Sequence, residues 1–167
     1  DDNSDEPMDA TVEACDDARI ALVRNPVNLG GSLSRNVGVR MARGPFVAFL
    51  DDDDEFLPTK IEKQVRCFRE SAVEKLSFVY CNIVVVDDQG KFCRFGKVGA
   101  RGNALKEHLM RNIAPLPTAM VRADVFREVG GFRDLVCGQE YELWLRILAK
   151  GYGVDYCEEP LLRVHDH

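Results

Sequence analysis

Long apolar runs are missing from this chain. The longest, Phe46–Leu50 and Ile83–Val86, fall far short of the roughly 20 residues a transmembrane helix takes. A basic excess is missing too: 22 Lys and Arg face 28 Asp and Glu, a formal net charge of −6. That balance excludes nucleic acid as a partner of the surface as a whole. No C-x-x-C pair joins any of Cys15, Cys67, Cys81, Cys93, Cys137 and Cys157, so neither a zinc framework nor a disulfide framework is indicated. Reduced, mostly buried thiols in a cytoplasmic protein are expected instead. There is no internal repeat, linker or low-complexity stretch, and one domain is expected from the 167 residues.

No signal peptide is expected either: the sequence opens on Asp1-Asp2-Asn3-Ser4-Asp5-Glu6, the opposite of a basic leader followed by an apolar stretch, and it has no initiating Met. A parallel α/β domain should begin with a buried strand, so a strand before Asp1 is expected to be missing. Leu161–His167 reads as a strand stopped in mid-course, and the domain is expected to be incomplete at both ends.

What is present is an ordinary globular balance, 46% hydrophobic and 30% charged. Thr11–Cys15 reads as the tail of a short helix and Arg19–Val23 as a buried strand. Turn chemistry at 25–31 precedes a helix capped by Ser32 or Ser34 and running to about Ala42, with Leu33, Val37 and Met41 at helical spacing. Gly44-Pro45 stops it. Phe46–Leu50 reads as a strand buried on both faces, and Pro58 opens a helix to about Ser71 with Ile61, Val65 and Phe68 inward.

Leu76–Val86 and Lys91–Phe95 read as a hairpin around Asp87-Asp88-Gln89-Gly90. Helices follow at Ala104–Arg111, Asp124–Val129 and Gln139–Lys150, the last closed by Gly151. Strands are expected at Pro117–Val121, Tyr152–Tyr156 and Leu161–Val164. Alternation of strand and helix in the first half implies a parallel sheet. The hairpin and helices after it imply an antiparallel extension.

Asp51-Asp52-Asp53-Asp54-Glu55 is the most informative segment. It follows a strand, and open α/β sheets bind ligands outside the carboxyl ends of their strands. Carboxylates concentrated there repel one another unless a divalent cation, bridging them to phosphates, is bound. In extended backbone Asp51 and Asp53 would face one ligand while Asp52 points away. An EF-hand is unsupported, since neither its D-x-D-x-D-G pattern nor a Glu at loop position 12 is present.

These features resemble family 2 glycosyltransferases of the GT-A fold, over nearly the whole chain. Asp1-Asp2-Asn3-Ser4-Asp5 is similar to V-D-D-G-S-T-D. Asn28-Leu29-Gly30-Gly31 with Ser34-Arg35-Asn36-Val37-Gly38 is similar to N-x-G-x-x-x-A-R-N-x-G. Ala42-Arg43-Gly44 and Phe46–Asp54 resemble A-x-G-x-x-I-x-F-L-D-x-D-D, and Leu57-Pro58-Thr59-Lys60-Ile61 resembles L-P-x-K-L. Val129-Gly130-Gly131-Phe132 matches V-G-G-F, residues 139–146 resemble E-D-Y-D-L-W-L-R, and Glu159-Pro160-Leu161 matches E-P-L. Each is weak alone; seven in the family's order are not.

The resemblance implies an α/β fold whose mixed, mostly parallel sheet is flanked by helices, with a nucleotide-sugar part at 1–90 and an acceptor and catalytic-base part at 91–167. It implies inverting transfer from a nucleotide-diphosphate sugar to a saccharide or lipid-linked acceptor, with manganese or magnesium as cofactor. Asp2 and Asp51 would then lie near the nucleotide, Asp53 with Asp51 would hold the metal, and Glu140 would be the general base. Arg35 would either approach the nucleotide or pair with the acidic run. His165, or His167 in its place, would lie near the metal or diphosphate. Trp144, Leu145 and Leu148 read as core. Acceptor choice would reside in the segment from about Cys93 to Leu116. The expected location is the cytoplasm or the inner face of the membrane.

One departure stands out: Gln139-Glu140 replaces the family's Glu-Asp, leaving a carboxylate one methylene longer. A non-catalytic sugar-nucleotide-binding domain and a nucleotidyltransferase are the alternative readings. Donor hydrolysis separates a transferase from the former, and the matches downstream of the acidic run argue against the latter.

Overall fold

The computed structural model describes residues 1–6, 8–87, 89–97 and 99–166. Its elements are, in order, α1 (Asp9–Ala14), α2 (Gly30–Met41), β1 (Phe46–Ala48), β2 (Asp54–Phe56), α3 (Lys60–Glu70), β3 (Leu76–Asp87) and β4 (Phe92–Gly96). There follow α4 (Leu105–Met110), a 3-10 turn (Leu116–Thr118), β5 (Met120–Arg122), α5 (Ala123–Glu128), α6 (Gln139–Ala149) and β6 (Gly153–Asp166). Among the described residues no helix is long and apolar enough to cross a membrane.

The sheet is mixed and flanked by helices, the α/β architecture expected. Its order is β1-β5-β3-β6-β2, with β4 beside β3. The direct parallel pairing is β3 with β6, while β1–β5, β5–β3, β6–β2 and β3–β4 pair antiparallel. Strands β1, β3 and β6 therefore run the same way, as the strand–helix alternation implies. The short β5 is inserted antiparallel between β1 and β3, which that alternation does not reveal.

β3 forms because Leu76–Val86 is rich in β-branched and aromatic residues. Leu76–Cys81 is buried throughout, as a central strand covered on both faces requires. Tyr152–Tyr156 and Leu161–Val164 merge into the single strand β6. Its register against β3 slips between Cys81↔Cys157 and Asn82↔Pro160. An irregularity is where a strand tolerates a proline, which has no N–H to donate.

The core lies between this sheet and α6. Leu143, Trp144, Ile147 and Leu148 form its buried stripe. Trp144 stacks on Phe78 with ring centroids 4.3 Å apart, and its Nε1 donates to Ala114 O at 2.8 Å. Phe49, Phe126 and Phe132 pack in a second aromatic knot, with centroids 5.3–5.9 Å apart.

Several local expectations are corrected. Arg19–Val23 is not a strand: it is exposed or half-buried. Its backbone makes turn bonds to Asp17, which accepts from Arg19 N (Oδ1) and Ile20 N (O), and its one long-range bond among the described residues is from Asp1 N to Val23 O. β1 alternates in burial rather than being covered on both faces. On α2 neither Ser32 nor Ser34 is the cap; Leu29 is, without a side-chain cap bond. The buried face of α2 holds Ser32 and Val39, and Met41 is exposed.

Apolar periodicity also misplaces the inner face of α3, where Ile61 is exposed and Lys60 and Gln64 are fully buried. Gln64 Nε2 donates to Val79 O and Thr118 O, both at 2.9 Å, and Lys60 Nζ donates to Gln64 Oε1 at 2.6 Å. The Lys60 ammonium also sits 4.2 Å from the Phe56 ring centroid. Burial pulls its pKa down to about 8. Gln64 can turn inward because it satisfies otherwise orphaned backbone carbonyls, and Lys60 because Gln64 Oε1 accepts its ammonium. None of the six cysteines is bridged. Cys81 alone of them is buried, against the expectation of mostly buried thiols.

Asn36 clamps the V-G-G-F turn onto α2: its Nδ2 donates to Phe132 O and its Oδ1 accepts from Phe132 N. Gly131, at φ +69, allows this approach, since a Cβ there would lie 2.5 Å from Asn36 Oδ1. Gly131→Ala combines a left-handed backbone with that clash. It is expected to destabilise the fold by about 1–3 kcal/mol, read as a lowered denaturant midpoint at unchanged slope.

Candidate active site around the start of α2

The first two turns of α2 gather the candidate residues. At its start, Asp2 accepts the Leu29 N–H (Oδ1) and the Gly30 N–H (Oδ2), each at 2.7 Å, and Asn25 Nδ2 at 2.9 Å. A carboxylate is favoured there, where unpaired N–H groups concentrate the positive end of the helix dipole. The Leu29 N–H first, then the Asn25 amide, hold the Asp2 pKa down to about 2.

The sign of the linkage follows. A carboxylate with a depressed folded-state pKa contributes stability that is present above its unfolded value, near 4, and is lost as pH falls through about 2. The stability gap between parent and Asp2→Ala is therefore expected to narrow from pH 4 to pH 2. Paired denaturation curves across that window check it, and a gap independent of pH would contradict the assignment.

One turn on, Ser32 Oγ donates to Gln139 Oε1 at 2.7 Å, which ties the start of α2 to the start of α6. Arg35 then reaches the acidic run, its Nη2 donating to Asp51 Oδ1 at 2.8 Å. Of the two roles expected for Arg35, pairing with the acidic run is thus observed. Its Nη1 is buried and has no partner among the described residues. Gly31 makes room for this guanidinium, since a Cβ there would come within 3.0 Å of Nη1.

The acidic run is a turn rather than an extended segment. The Asp54 N–H donates to Asp51 O at 3.3 Å, and Asp52 and Asp53 stand exposed at the tip. The alternation placing Asp51 and Asp53 on one side of a strand therefore does not apply; in the turn both charges act on Asp54. Asp54 is half-buried beside the others, and burial, then the Asp53 and Asp51 charges, push its pKa up to about 6.

His165 reaches the cluster from β6, next to β2. Its Nε2 lies 2.9 Å from Glu55 Oε1, and Arg163 Nη1 donates to Glu55 Oε2 at 2.7 Å. Its ring thus pairs with Glu55, and its charge also acts on Asp54. His167 lies outside the described residues. Among the described residues no group of three or more His, Cys, Asp or Glu side chains is assembled so as to hold a metal ion. The donor chemistry nevertheless fits a hard divalent cation. Asp53 and Asp54 offer carboxylate oxygens of the kind such a cation takes, and the Asp53 and Asp51 charges add to burial in raising the Asp54 pKa.

Glu140 lies in the first turn of α6, after Gly138 turns the chain at φ +67. Its Oε1 accepts from Asn112 Nδ2 at 3.1 Å. Glu142, two residues on, is gripped instead: Arg146 Nε and Nη2 donate to it at 2.7 Å, and Arg133 adds a contact at 3.1 Å. Beneath this turn, buried His108 places its Nε2 2.8 Å from Tyr141 O, and burial lowers its pKa. The structure thus joins Asp2, Arg35, Asp51 and the Gln139-Glu140 turn through one helix. Sequence reading missed Asn112 and the Ser32–Gln139 link. No sequence signal marks Asn112, whereas Gln139 adjoins a named candidate.

The model of the family described as Glycosyl transferase family 2 matches residues 1–130. An uncharacterized glycosyltransferase of Methanocaldococcus jannaschii is 30% identical over 149 residues, covering 88% of this chain and 51% of the relative. The UDP-Glc:alpha-D-GlcNAc-diphosphoundecaprenol beta-1,3-glucosyltransferase WfaP of Escherichia coli is 32% identical, covering 90% of this chain and 57% of the relative. In fold, the chain is similar to the crystal structure of S. aureus TarS 1-349, with a TM-score of 0.73 and 14% identity over 99% of this chain and 49% of that one. The chain spans about half the length of these curated relatives.

Proposed function

The chain belongs to glycosyl transferase family 2, and from that premise we propose that the site around α2 transfers a sugar from a nucleotide-diphosphate sugar to an acceptor hydroxyl, with inversion at the anomeric carbon. The observation that carries the reading is the convergence on one helix. Asp2 binds its start, Ser32 holds the residue before Glu140, and Arg35 holds the acidic turn.

In this reading Asp2 and Asp51 lie toward the nucleotide, and the unpartnered Arg35 Nη1 offers a donor to a phosphate oxygen. Asp53, with Asp51 and His165, would hold manganese or magnesium, which supplies charge neutralisation at the departing diphosphate. Glu140 takes the proton of the acceptor hydroxyl as its oxygen bonds to the anomeric carbon. The bond from that carbon to the diphosphate breaks on the opposite side, and its electron pair leaves with the nucleoside diphosphate. Asn112, on Glu140 Oε1, leaves Oε2 for the acceptor.

The acceptor is proposed to be a saccharide, lipid-linked as in the name of the E. coli relative, met in the cytoplasm or at the inner face of the membrane. Phe92, Phe95, Leu109 and Met110 are exposed apolar residues in or beside the segment expected to choose it. The departure at Gln139 acquires a structural meaning, because its amide oxygen accepts the Ser32 hydroxyl. Nucleoside diphosphate release from a panel of nucleotide sugars by the full-length protein, with manganese present, tests the reading. Slow release without acceptor is expected; binding with no release, even with candidate acceptors, would favour a non-catalytic domain.

A further inference from the structure

A second cavity opens at the far end of β1 from the acidic turn. It has a volume of about 590 Å³ and is lined by Arg43, Arg69, Arg122 and Arg127 beside the rings of Phe46 and Phe68. Phe46 begins β1, whereas the acidic turn follows its end. Phe68 and Arg69 belong to the last turn of α3, a helix about 16 Å long for its 11 residues. The two sites thus occupy opposite poles of the sheet.

The four arginines divide into two pairs. Arg122 is held by Asp124 through two hydrogen bonds, at 3.0 and 2.5 Å. Arg127 donates to the Val39 and Ala42 carbonyls at the end of α2. These two build the wall. Arg43 and Arg69 are different, for among the described residues the side chain of neither makes a hydrogen bond or ion pair. Phe46 and Phe68 stack with centroids 4.4 Å apart and give the cleft an apolar side.

Asp124 is the single carboxylate in this lining, so the cleft carries a positive excess in a chain of net charge −6. Local charge opposed to the charge of the whole chain needs a reason. Guanidinium groups converging on a concave surface match the geometry of phosphate oxygens, which they bind in paired, charge-assisted hydrogen bonds.

We propose that this cleft binds a phosphate-bearing ligand, its phosphate on Arg43 and Arg69 and its carbon body against Phe46 and Phe68. The site is separate from the transferase reading and stands or falls independently of it. The phosphate could be carried by a soluble ester or by a lipid headgroup, and one experiment separates the two sources. Inorganic pyrophosphate is titrated calorimetrically into the full-length protein in EDTA, so that no cation serves the acidic turn. In parallel, the protein is floated with phosphatidylcholine vesicles containing phosphatidylglycerol.

The test variant is Arg43→Glu/Arg69→Glu, which leaves the structural Arg122 and Arg127 untouched; Arg43→Gln/Arg69→Gln replaces it should the charge reversal not fold. Pyrophosphate binding weakened at least tenfold in the variant, without vesicle binding, identifies a soluble phosphate ester. Vesicle binding lost in the variant identifies a headgroup. Absence of both kinds of binding, or binding equal in parent and variant, overturns the proposal.

Discussion

Glu140→Gln is expected to lower turnover of the full-length enzyme about 10²–10⁴-fold while nucleotide-sugar affinity changes little. The substitution keeps the shape and the bond to Asn112 Nδ2 but removes the proposed proton acceptor. A general base acts only as the transition state forms, so its loss falls on kcat rather than on donor binding. Glu142→Gln is the informative control. Its carboxylate answers Arg146 and Arg133, and Arg146 in turn holds Val129 O and Gly131 O. That change should lower stability more than rate. Glu140→Asp restores the residue usual in the family but shortens the reach, so it slows an enzyme matched to the longer side chain. Full activity in Glu140→Gln, measured under saturating donor, would place the base elsewhere.

The second large effect is expected at Asp53. Asp53→Ala should remove the gain in nucleoside-diphosphate affinity that manganese gives, yet leave the fold intact, because the residue stands exposed at the tip of a turn. Hydrogen bonds within the turn and the Arg35 pairing run through Asp51 and Asp54, not through Asp53. In the proposed site, loss of one carboxylate would leave a bound cation fewer hard oxygen donors and weaken its hold on the diphosphate. Circular dichroism unchanged, with the manganese-dependent gain gone, is the predicted pair of observations. Equal affinity in mutant and parent, with manganese present, would remove Asp53 from the metal site.

Much of this architecture was legible in the sequence. The helices α3, α4, α5 and α6 and the strand β3 follow from periodicity and composition, and their ends from Pro58, Gly130 and Gly151. The gathering of Asp2, Arg35, Asp51 and Glu140 was implied by motif order alone. Three features escaped, each for a physical reason. Lys60 and Gln64 are absent from the inward set of Ile61, Val65 and Phe68, because periodicity counts apolarity and cannot see that Gln64 would satisfy Val79 O and Thr118 O. Arg19–Val23 reads as a buried strand by composition, yet burial needs neighbours, and in the described residues its backbone meets only the adjacent Asp17 turn and Asp1 N. The acidic run reads as extended after a strand, but the Asp51–Asp54 hydrogen bond closes it into a turn. Local sequence does not report long-range partners such as Asn112 and Glu140, 28 positions apart.

The central claim is that the α2-centred site binds a nucleoside diphosphate through a divalent cation. Calorimetric titration of the full-length protein with nucleoside diphosphates of differing base, each with manganese and again in EDTA, tests it most directly. The account predicts that at least one nucleotide binds about tenfold or more tightly with manganese, and that Asp53→Ala and Arg35→Ala both erase the difference. Equal binding in manganese and EDTA for every nucleotide, or a manganese effect untouched by both substitutions, would contradict it.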